Sequence, residues 1–172
     1  MTETSSSPFS VEALFAERDA RRLKEKEGAE HLARRKNEEL TTFRQRLENF
    51  QLNDEIIQTT QQRIRRAFEN GEAELMFASF PSDFCTDSGR AILNAGAPPI
   101  VELTDEEKEK LKDAEPEWLH TLPRGARPVY EHWKQHMKPA GFGLAVRILN
   151  FPGGKPGDVG MFFTWPKSRL EA

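Results

Sequence analysis

GLAVRILNF (Gly143–Phe151), PGGKPGD (Pro152–Asp158) and VGMFFTW (Val159–Trp165) follow one another in the chain and decide its fold. In the first stretch Leu144, Val146 and Ile148 alternate with small or polar partners, the period of a strand with one buried face. The second is rich in the residues that turn a chain, and the third is apolar and aromatic, so the three read as a β-hairpin. Working outward, ELMFASF (Glu74–Phe80) reads as a further strand ended by Pro81, and its near-continuous apolar character predicts burial on both faces. Three strands need a covering layer to be stable. Two amphipathic stretches supply it. Asn53 or Asp54 caps a helix running to Phe68, with Ile57, Ile64 and Phe68 on one side and Asn70-Gly71 as its stop. A second helix starts near Pro128 and carries Val129, Tyr130, Trp133 and Met137 on its apolar face until Pro139-Ala-Gly141.

Shorter elements fill the interval. A helix is expected around Asp87–Asn94, then a loop from Ala95 to Val101 containing Pro98-Pro99. Thr104 and Glu107 form a capping box for an acidic-then-basic helix with little apolar face. Trp118, Leu119 and Leu122 make an aromatic-aliphatic cluster. The class expected is α+β, a small three-stranded, mostly antiparallel sheet packed with helices, over residues 54–168.

The N-terminal part is different. Between Ser10 and Glu72 there are thirteen basic and thirteen acidic residues, and Pro8 is the only proline before Pro81. Proline-free, charge-balanced sequence suits long helices. Residues 1–9 read as a disordered tail, 10–53 as a charged helical arm and 169–172 as a short tail. Ser10 caps a helix beginning at Val11. From Glu17 to Glu39 the large apolar residues are only Leu23 and Leu32, and Gly28 weakens the helix by about 1 kcal/mol. Leu40, Phe43, Leu47 and Phe50 then recur at heptad spacing. This face either packs inside the chain or forms a modest dimer seam.

A net charge of −3 gives no general attraction to a polyanion. Arg63, Arg65 and Arg66 sit beside acidic residues with no interleaved aromatics, so nucleic acid is not an expected partner. No stretch resembles a signal peptide or a membrane span. The single cysteine, Cys85, points to a reducing, cytoplasmic setting.

The densest polar cluster is Ser82 to Arg90, directly after a strand, where Asp83, Cys85, Asp87 and Arg90 form a candidate ligand site. Cys85 and Arg90 are one residue too close for a phosphatase loop, and Asp87-Ser88-Gly89 lacks the flanks of an aspartic-protease half-site and its second copy. The alternative is a structural one, with acidic side chains capping the next helix. His132 and His136 share a helix face but lack a Glu-x-x-His partner or second cysteine. The loop at Pro152–Gly157 leads into a strand, unlike a phosphate-binding loop. No catalytic residue, metal or cofactor is expected. The function these features favour is a non-catalytic binding or assembly protein, its arm mediating self-association, including a weak homodimer, or docking to a protein partner. The alternative is a small enzyme or ligand-binding domain built on Asp83–Arg90.

Overall fold

The computed structural model describes residues 9–96 and 102–170. The expectations for residues 1–8, for Pro98-Pro99 within 97–101 and for the last two residues lie outside the described residues. The chain divides into two compact units, Met1–Gln45 and Arg46–Ala172.

Helix α1 spans Val11–Glu48. Ser10 Oγ accepts the Ala13 N–H at 3.0 Å, the expected N-cap. Leu23 and Leu32 are exposed and no residue of α1 is buried. Gly28 does not interrupt the helix, because a loss of about 1 kcal/mol at one position is small against the propagation of a long helix.

The second unit is α+β. Its helices are α2 (Asp54–Glu69), α3 (Arg90–Ala95), α4 (Asp105–Asp113) and α5 (Ala126–His132). Its strands are β1 (Glu74–Pro81), β2 (Gly143–Ile148) and β3 (Asp158–Thr164). All pairings are antiparallel and the order is β1-β3-β2. The hairpin β2–β3 is in register as Leu144 to Phe163, Val146 to Met161 and Ile148 to Val159. These residues, with Leu75, Ala78 and Phe80 of β1, share the covered face.

Burial of β1 on both faces is corrected. Met76 is 42 % exposed and Ser79 is exposed. A bulge between Met76 and Ala78 explains the continuous apolar run. It inserts Phe77 on the covered side, where its ring stacks on Phe163 at 4.1 Å. Met76 is left to the open side, beside Phe162, whose ring is covered by the Arg147 guanidinium at 3.9 Å. Arg147 is itself paired with Glu74.

Helix α2 is capped by Asn53, whose Oδ1 accepts the Ile56 N–H at 2.8 Å. It buries Ile64 and Ala67 against Phe163 and Trp165, while Phe68 is 61 % exposed. The expected helix at Val129–Met137 has two parts. Helix α5 ends at His132, and Trp133–Met137 forms a π turn closed by the Lys138 N–H donating to the Trp133 carbonyl at 2.7 Å. The capping box of α4 is present with both of its reciprocal bonds.

Candidate functional site

The Ser82–Arg90 segment leaves β1 through a 3-10 turn, Ser82–Phe84. Ser82 is buried, its N–H donating to Gly157 O and its hydroxyl to Pro156 O, both at 2.8 Å. These bonds tie the segment to the hairpin connection. Asp87 accepts the Gly89 N–H at 3.0 Å and the Ala91 N–H at 2.7 Å, one on each carboxylate oxygen. It therefore satisfies N–H groups at the start of α3 from two residues before Gly89, which holds the N-cap position. Gly89 has φ 86, and a Cβ there would stand 3.1 Å from the Ile148 side chain and 3.4 Å from Ser82 Cβ, so both backbone sign and space favour glycine. Asp83 and Arg90 are exposed. Among the described residues no ion pair joins Arg90 to Asp83 or Asp87. Cys85 lies near enough to Asp87 to feel its charge, while Asp83 and Arg90 are on the surface.

Cys85 is buried, and its thiol is pushed up to about 11, chiefly by burial and further by the Asp87 charge, against a hydrogen bond with Thr121 that lowers it. Such a thiol stays protonated near neutrality and is a poor nucleophile. In the folded protein at pH 8, Cys85 should resist iodoacetamide, reacting at least about tenfold more slowly than after denaturation. Mass spectrometry of timed aliquots checks this. Equal labelling in both states would show an accessible, activated thiol.

The larger cavity lies elsewhere in the second unit. It is an open groove of about 1600 Å³ between α2 and the α5–π segment, reaching Phe77, Phe163 and Trp165 on the sheet side. Ile56, Ile57 and Thr60 line it from α2, and Val129, His132 and Met137 line it from the opposite wall. Phe50 and Leu52, in the connection before α2, belong to its lining as well. The Trp165 indole N–H donates to Glu72 O at 2.8 Å and that of Trp133 to Phe142 O at 3.0 Å, so both large rings are held in place by backbone.

The heptad-spaced residues are divided between the units. Leu40 and Phe43 lie on α1 within Met1–Gln45. Leu47 and Phe50 belong to the second unit, where Leu47 O accepts the Gly125 N–H at 2.9 Å. Phe50 lies beyond the end of α1 and abuts Gly125. The sequence groups the four as one face, either packed inside the chain or forming a dimer seam, and does not reveal the groove. The exposed flank of α2 and the paired histidines were the available signals, but no spacing rule tells two helices to stand apart.

No protein-family model matches the chain, and no curated protein or solved structure is similar to it. Among the described residues no helix is long and apolar enough to cross a membrane.

Proposed function

We propose that this chain is a non-catalytic binding or assembly protein, whose groove between α2 and α5 takes the apolar face of an amphipathic helix from a protein partner. The groove itself carries the proposal. Its volume of about 1600 Å³ exceeds the roughly 300–1,000 Å³ of small-molecule sites. An open apolar trough between a helix and a helix-sheet wall suits a helix laid along it. Ile56, Ile57, Val129 and Met137 offer apolar contact, and Asp54, Arg63 and His136 offer a polar rim. The charged arm extends the same role, mediating self-association or partner docking through Leu40 and Phe43. A single, buried cysteine supports a cytoplasmic site of action.

Thr60→Trp tests the groove, because Thr60 is half-buried in its wall and an indole there obstructs it. The native chain should bind the apolar dye 1-anilinonaphthalene-8-sulfonate. The variant should bind it about tenfold more weakly, a loss of about 1.4 kcal/mol, with its melting temperature kept. A photocrosslinker at position 57 should then capture segments with apolar residues at i, i+3, i+4 and i+7. Dye binding unchanged by Thr60→Trp, or crosslinks without helical spacing, would overturn the proposal.

A further inference from the structure

His132 closes α5 and His136 sits one turn on, inside the π segment. Their ring centroids are 5.0 Å apart and their planes are inclined at 42°. Two imidazoles bound to one metal at nitrogen distances of about 2.0–2.1 Å place their ring centres about 5 Å apart at tetrahedral angles. The pair already has this spacing. Neither imidazole makes a hydrogen bond or ion pair among the described residues. His120, by contrast, faces Arg127 and Glu115. The ring nitrogens of His132 and His136 are therefore open to a ligand from the groove or from solvent. Both line the groove.

We propose that His132 and His136 form a two-imidazole site for a borderline divalent transition metal, with its remaining coordination positions open toward the groove. Among the described residues no third histidine, cysteine or carboxylate completes a cluster. Water or a donor from whatever lies in the groove completes the coordination. With two nitrogen ligands the affinity order follows the general one for divalent ions, Cu²⁺ above Zn²⁺.

Titration of the full chain with Cu²⁺ and with Zn²⁺, followed by calorimetry and by electron paramagnetic resonance for copper, tests the site. One equivalent of Cu²⁺ should bind more tightly than Zn²⁺, with hyperfine structure from two nitrogens. His132→Gln and His136→Gln should each weaken binding by more than about tenfold, while His31→Gln and His120→Gln leave it unchanged. His136 is exposed, so His136→Gln reads the site without disturbing the fold. An affinity untouched by His136→Gln, or lost equally in His31→Gln or His120→Gln, would place the metal elsewhere and overturn the proposal, as would the absence of any equivalent bound below millimolar Cu²⁺. None of these outcomes depends on what occupies the groove.

Discussion

Phe163→Ala will destabilise the second unit by about 3–5 kcal/mol, the range for removing a large core aromatic. Phe163 is 3 % exposed in the middle strand β3, paired with Leu75 on one side and Leu144 on the other. Its ring stacks on Phe77 and packs with Ile64, Ala67 and Trp165. Truncation removes the contact between sheet and α2 at the point where both meet. At roughly 2–4 °C per kcal/mol for a chain of this size, the melting temperature should fall by about 6–20 °C. Far-ultraviolet circular dichroism on heating measures it. A fall of only a degree or two would mean that α2 is not held by this core.

Gly125→Val will have a comparable effect for a different reason. A Cβ at position 125 would run into the Leu47 carbonyl oxygen and stand 2.6 Å from Phe50 Cβ. Neither obstacle is the free end of a flexible side chain. The Gly125 N–H also donates to that same carbonyl at 2.9 Å, so backbone displacement breaks the bond as well. Overpacking costs about 1–3 kcal/mol, and here the upper end is expected because backbone must move. Gly125→Ala should show most of the loss, since the first carbon already collides. Chemical denaturation of both variants tests this, and a stability within about 0.5 kcal/mol of the parent would show that the Leu47–Phe50 segment leaves Gly125 at little cost.

The strands and the β2–β3 hairpin were legible because period-two alternation at Leu144, Val146 and Ile148 survives whatever covers it, whereas the pairing of β1 with β3 was not. The caps at Ser10, Asn53 and Thr104 were legible for a similar reason, since a side chain three residues from its target N–H acts locally. Helix α2 was placed correctly, but its buried residue near the C-terminus is Ala67, with Phe68 turned outward. Helical spacing allows both, and only the position of the sheet chooses between them. At Asp87 the sequence offered a ligand site and a helix cap, and the two short hydrogen bonds show the carboxylate satisfying N–H groups at the start of α3.

By itself the sequence determined the class and the hairpin, because composition and periodicity act over short distances along the chain. Tertiary structure alone decided four things. The bulge at Phe77 makes β1 one-sided, because an extra residue shifts phase without changing composition. Trp133–Met137 forms a π turn where the apolar pattern from Val129 to Met137 reads as one continuous helix. Gly125 is required by a segment nearly eighty positions away, at Leu47 and Phe50. The groove, with His132 and His136 in its lining, brings together residues of α2, of α5 and the π segment, and of the sheet. A gap between elements is set by three-dimensional distance, and no local pattern of residues encodes it.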